Sequence, residues 1–238
     1  MRQKISLTEK AYKIIRDKII CNELEAGTQI NDQSLSKSLQ IGRTPLREAL
    51  VRLTSEKLLK NESGNGFFVS NLGFTDIKSI METAKILHRA VAALAPVRIQ
   101  PNEIECLAKT SHTLAKVMAE QDYLKVVIYN NKFHKIINDS IDNLFLSSLI
   151  DNIDSQYARI CYLSFNGLSA ENREDLEQHY KRTREDHEKM IEALKNKDQK
   201  TMIKLVSQHF EIFSQQLSKY INPNKSTIDL ASIPYDQI

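Results

Sequence analysis

Between Asn102 and Asn222 the chain contains no proline and one glycine, Gly167. So long a stretch without breakers leaves little room for the tight turns of a sandwich or barrel and favours long helices. The other five glycines, Gly27, Gly42, Gly64, Gly66 and Gly73, fall in the first 73 residues, where short elements and turns are expected. Helical hydrophobic periods run through 74–98, 102–119, 122–139, 142–164, 170–195 and 198–220, with Pro101 and Gly167 between segments. These features predict a mainly α chain in three parts. A small module covers 1–73, an all-α six- to seven-helix bundle covers 74–222, and an aperiodic, flexible tail covers 223–238.

Charge divides at the same place. Residues 1–73 carry 12 Lys and Arg against 8 Asp and Glu, while the remainder carries 21 against 22. A basic head on a near-neutral body fits a head that binds a polyanion, although an excess of four also suits a merely soluble surface. No run of 18 apolar residues is present, so no spanning helix is expected. The opening MRQKISLTEKAYKII is broken by charges and lacks an apolar signal core. Cys21, Cys106 and Cys161 form neither a disulfide framework nor a CxxC pair. A soluble, cytoplasmic protein without membrane contact is the expectation.

Within the head, Thr8 is placed to cap a helix whose apolar positions are Ala11, Ile14, Ile15 and Ile19. Asp32 is placed to cap a short second helix. A third opens at Arg43-Thr44-Pro45, where proline is tolerated in the first turn, and carries the stripe Leu46, Ala49, Leu50, Leu53. Arg43, Arg47 and an outward Arg52 occupy its other faces. LLKNESGNGFFVS then reads as two β-prone runs around Ser63-Gly64-Asn65-Gly66, a hairpin. Three short helices and a two-stranded wing make a winged helix-turn-helix, in which the third helix enters the major groove of duplex DNA.

The stretch QSLSKSLQIGRTPLREALVRLTSEKLLKNESGNGFFVS resembles the winged-helix signature of the GntR family of bacterial transcriptional regulators, most specifically in RTPLREAL. The resemblance implies that Arg43 and Arg47 contact bases or phosphates, that Thr44 contacts a phosphate and that Gly66 lies at the wing tip near the minor groove. An arginine so placed can fork onto guanine for about 1–3 kcal/mol of discrimination. Two positions depart from the family pattern: Gln40 stands where the turn usually has glycine, and Gly42 where the cap is usually serine.

In the helical part, three of six histidines fall on apolar stripes. His134 follows Val127 and Asn130 and precedes Ile137; His187 heads Met190, Ile191 and Leu194; His209 lies between Val206 and Phe213. Only a bundle could bring them together. Three imidazoles facing one cavity suit Zn²⁺, Ni²⁺ or another late first-row ion, whereas singly each is more often a hydrogen-bonded core residue.

YNNKFHKIINDSIDNLFL, EDHEKMIEALKNKD and LVSQHF resemble successive signatures of the FCD ligand-binding domain of the FadR subgroup. That resemblance implies a metal held by Asn130, His134, His187 and His209. Three imidazoles and an amide leave the ion's charge uncompensated, so an anionic effector such as a carboxylate could complete the shell; the alternative is a metal-free pocket lined by these histidines. The family often has Arg and Glu where this chain has Ala84 and His88; Lys85 or Arg89 could compensate only if turned inward. Asn143 and Arg159 are candidate effector contacts, each equally consistent with a surface role. The reading reached is a homodimeric repressor that binds a double-stranded DNA operator and answers to a carboxylate effector, not an enzyme. Two alternatives stand beside it: a bundle that only dimerises, and a helical metalloenzyme. Against the latter, no HExxH motif occurs, and Glu185 and Glu188 point away from the His187 face.

Overall fold

The computed structural model describes residues 5–171 and 173–218; the segment read as a tail lies outside them. The chain divides into two compact units, one ending at Leu72 and the other beginning at Gly73.

The first unit begins with α1 (Leu7–Ile20). Its cap is Ser6, whose hydroxyl accepts from the Glu9 amide, rather than Thr8, whose hydroxyl donates to Glu48. A two-residue strand β1 (Gln29–Ile30) precedes α2 (Asp32–Leu39), capped by Asn31 and not by Asp32. Both readings misplace a cap because Ser, Thr, Asn and Asp compete for it where they cluster, and the side chain that reaches the N3 amide wins. Gln40 closes α2 in the left-handed region at φ 54, a conformation in which glycine avoids a cost of about 1 kcal/mol.

Helix α3 (Arg43–Ser55) follows, then β2 (Leu59–Glu62) and β3 (Gly66–Val69). The strands form one antiparallel sheet of order β1-β3-β2, with Leu59 opposite Val69 and Ile30 opposite Phe67. The wing therefore has a third strand beyond the hairpin, too short to leave a period in the sequence. Gly66 takes φ +87 at the hairpin tip, where a Cβ would meet no atom; conformation and not space calls for glycine there. Ala11, Ile15 and Ile19 of α1 meet Leu46, Ala49, Leu50 and Leu53 of α3 over the inward Phe67 and Val69.

The second unit is six described helices: α4 (Phe74–Arg98), α5 (Pro101–Glu120), α6 (Tyr123–Asp139), α7 (Leu144–Glu171), α8 (Arg173–Lys195) and α9 (Gln199–Ser218). Pro101 opens α5 at its first turn, where no amide hydrogen is needed. Gly167 does not separate segments. It lies inside α7, because one glycine costs a helix only about 1 kcal/mol and the largely apolar stretch that precedes it offsets that. Every residue from Ser155 to Cys161 is buried, so the middle of α7 is enclosed by the rest of the bundle. Helix α4 packs on α7 and α9, and α8 on α5 and α9. The Arg98 guanidinium donates to the Ile141 carbonyl and His88 meets Asp154, so α4 and α7 run antiparallel. The three cysteines are free thiols. Among the described residues no helix is long and apolar enough to cross a membrane.

Candidate nucleic-acid interface and candidate metal centre

On the first unit, burying Leu46, Ala49, Leu50 and Leu53 turns the opposite face of α3 outward. Arg43, Thr44 and Arg47 are all exposed, the two arginines one turn apart at the start of the helix. Neither arginine makes an ion pair among the described residues. No side chain caps α3 at Gly42, so its first amides remain available to an anion. Gly66 is exposed, and the neighbouring Asn65 carbonyl is held by the Gln29 amide at 2.7 Å.

Arg52 belongs to a different structure. Its guanidinium lies 3.6 Å over the Tyr12 ring, reaches Glu9 at 2.8 Å and meets Glu56 at 3.3 Å. The Tyr12 hydroxyl donates to Glu56 at 2.8 Å; burial, then the Glu56 charge, pushes that hydroxyl up to about 12. Arg52 is outward, as its place on the helix predicts, but its guanidinium ties α1 to α3 through Tyr12, Glu9 and Glu56 and so is not a free cation for phosphate.

In the second unit His134 on α6, His187 on α8 and His209 on α9 converge, each offering a ring nitrogen within 4.8 Å of the others. Ring centroids stand 5.2 Å apart for His134 and His187, 5.5 Å for His134 and His209, and 5.4 Å for His187 and His209. His187 is fully buried and stacks on Phe133 at 3.9 Å with planes 6° apart. Neither of its nitrogens has a hydrogen-bond partner among the described residues. A wholly buried imidazole with two idle nitrogens is costly unless something occupies one of them. Burial, reinforced by the neighbouring imidazoles, holds His134 and His187 well below the usual histidine range and so neutral, the form in which imidazole binds metals. The residues therefore fit a late first-row divalent ion.

Two carboxylates stand behind the rings. His209 Nδ1 donates to Asp186 Oδ2 at 3.1 Å. His88 on α4 lies 5.7 Å from His134 and donates from Nε2 to Asp154 Oδ1 at 2.7 Å; Asp154 Oδ2 also accepts from Asn138 at 3.2 Å. His88 is thus a fourth imidazole beside the cluster, and its apolar stripe with Ala84, Val91 and Ala95 was the available signal. Asp186 leaves no periodic signal at all.

Asn130 is half-buried on α6, one turn before His134. Asn143 accepts from the Leu146 amide and caps α7. Arg159 is fully buried in α7, which removes the surface reading for it. Neither cation near Ala84 turns inward: Lys85 pairs with Glu211 at 3.2 Å, and Arg89 is exposed. An open cleft of about 720 Å³ between α5, α6 and α8, lined by Met118, Tyr123, Tyr180 and Lys181 among others, contains none of the four histidines.

A winged helix-turn-helix followed in the chain by a helical unit in which three imidazoles converge defines a DNA-binding protein with a second, helical domain. Residues 7–69 match the bacterial regulatory proteins of the gntR family, and residues 79–212 match the FCD domain. The chain belongs to the FCD-bearing branch of the gntR family and is a DNA-binding transcriptional regulator with an effector-binding domain, in a family of regulators and not of enzymes. It is 27% identical to the gluconate operon transcriptional repressor of Bacillus subtilis, over 84% of this chain and 80% of that one. Its fold is that of McbR/YncC from Escherichia coli, at TM-score 0.78 and 21% identity, covering 92% of this chain and 100% of the other. A GntR regulator from Rhodococcus sp. RHA1 aligns at TM-score 0.69 and 17% identity, covering 90% and 99%.

Proposed function

We propose that this protein is a homodimeric cytoplasmic repressor that releases its operator when a carboxylate effector binds at a metal centre in the helical unit. The observation carrying the proposal is the convergence of three imidazoles from three helices around a fully buried His187 with no partner for either nitrogen among the described residues. His134, His187 and His209 would hold Zn²⁺ or Ni²⁺, with Asn130 as fourth ligand. When bound, the ion supplies Lewis acidity and an anchor for an anionic group. The chain's own groups provide a dry surround, in which Phe133 orients His187 and Asp186 orients His209. The buried Arg159 and the helix-capping Asn143 remain candidates for the effector's polar groups.

On DNA, Arg43 and Arg47 would read base edges, Thr44 would meet a phosphate, and Gly66 would let the wing approach the minor groove. The effector can shift operator affinity only by its differential affinity for the DNA-competent and incompetent states. The gluconate operon repressor among the relatives supports the repressive sign.

The homodimer is supported by an apolar face on the second unit. Among the described residues of this unit, the exposed large hydrophobic residues lie on the adjacent antiparallel helices α4 and α7: Ile86, Val97, Leu144, Phe145 and Leu149. Phe145 and Leu144 are 86% and 84% exposed. Together the five offer on the order of 600 Å² per copy, most of the roughly 800 Å² per partner of a standard interface. On α4, Ile86, Ala90, Ala93 and Val97 repeat at 4-3-4 spacing with small residues between large ones, a pattern that complements itself about a two-fold axis.

The test is duplex selection from a random pool, followed by titration of the selected duplex with Zn-loaded protein and a panel of organic acids. Release by a carboxylate in the wild type and not in His134→Ala is expected. Failure to select any duplex, or release unchanged in His134→Ala, would overturn the reading.

A further inference from the structure

We propose that Asp186 is the positioning carboxylate of the imidazole centre, supplying from outside the coordination shell the negative charge that Asn130 cannot. The inference rests on the metal reading above. Three imidazoles and an amide bring no charge to a dication, and no carboxylate belongs to the cluster of close nitrogens among the described residues. Asp186 is a carboxylate that touches one of the three imidazoles, meeting His209 at 3.1 Å. The pair is shielded, with side-chain exposures of 13% and 12%, so water screens its field poorly.

The contact also selects a tautomer. An ionised carboxylate only accepts, so His209 must carry its proton on Nδ1, which leaves the Nε2 lone pair for the cluster. His187 has no such partner and is oriented by its stack on Phe133. Asp154 plays the equivalent part for His88, but His88 is not among the three convergent rings. Asp186 and His209 stand on different helices, α8 and α9, so their contact also ties together two of the three ligand-bearing helices.

Charge and orientation separate by substitution. Asp186→Asn keeps an oxygen able to accept from Nδ1–H and removes the charge, whereas Asp186→Ala removes both. Asn130→Asp places a carboxylate inside the shell and should make the outer charge redundant. The experiment is Zn²⁺ competition against a chromophoric chelator on the full chain for the wild type, these three variants and the Asp186→Asn/Asn130→Asp double variant. Circular dichroism of the metal-free forms checks that helix content is unchanged.

Asp186→Asn is expected to weaken Zn²⁺ about 10–100-fold and Asp186→Ala by more, the range of outer-shell losses at metal sites. In the Asn130→Asp background the same change should cost a few-fold at most. Wild-type affinity in Asp186→Asn would overturn the assignment while leaving the metal centre standing. Equal losses in both backgrounds would overturn the charge role. No Zn²⁺ bound by the wild type or by Asn130→Asp would overturn the metal reading itself, and this inference with it.

Discussion

Replacing His187 by leucine should make the metal-free protein more stable and its response to metal vanish. The imidazole is fully buried, and neither nitrogen has a partner among the described residues. Each unmet buried polar group costs about 1–3 kcal/mol. Leucine nearly conserves the volume, a class of change that costs under about 1.5 kcal/mol, and the lost stack on Phe133 forfeits about 0.5–1.5 kcal/mol. The balance is a gain of about 2 kcal/mol, or roughly 4–8 °C in melting temperature for a chain of this size. Zn²⁺ at a hundredfold excess over its Kd stabilises the wild type by about 2.7 kcal/mol and the variant by nothing. The order of stability therefore reverses on adding metal. Thermal melts followed at 222 nm, with chelator and with Zn²⁺, read both terms. A metal-free variant less stable by 2 kcal/mol or more would mean that His187 is a satisfied core residue, refuting the reasoning. Equal Zn²⁺ shifts in both proteins would place the ion elsewhere.

Acid should unfold the metal-free protein early. Burial lowers His134 and His187 well below 6.5 and His179 to about 3, so the unfolded chain takes up protons first. Stability is complete above pH 6.5 and falls below it by about 1.4 kcal/mol per pH unit for each of the three. His179→Phe, within the ring cluster of Phe165, Tyr180 and Phe213, should remove about one third of that slope in denaturant titrations. Arg47→Ala should weaken a selected duplex about 5–150-fold in fluorescence anisotropy without moving the melting temperature, because the side chain is exposed and bears no ion pair among the described residues. Phe145→Glu with Leu149→Glu should yield monomers by light scattering and uncouple the two half-sites on DNA; an unchanged dimer would move the interface off the α4–α7 face.

The apolar stripes of α3, α6, α8 and α9 were legible because burial enforces their spacing, and with them the faces that carry His134, His187 and His209. Ser6 and Asn31 escaped notice because several capping side chains cluster at each helix start. Gly167 misled because one glycine is a weak breaker beside the apolar runs of α7. Arg52 shows the limit of counting cations: its partners Glu9 and Tyr12 lie some 40 residues away, and only the packing of α1 on α3 joins them. The pairs His88–Asp154 and His209–Asp186 escaped for the same reason, since periodicity marks which face a residue occupies and not which side chain from another helix meets it.

The most direct test of the metal-centred account is the metal content of the purified full chain by elemental mass spectrometry, beside His134→Ala and His209→Ala. The account predicts close to one late first-row ion per chain, lost in both variants while their metal-free helix content is retained. No ion after loading with Zn²⁺ or Ni²⁺, or an ion retained in both variants, would contradict it.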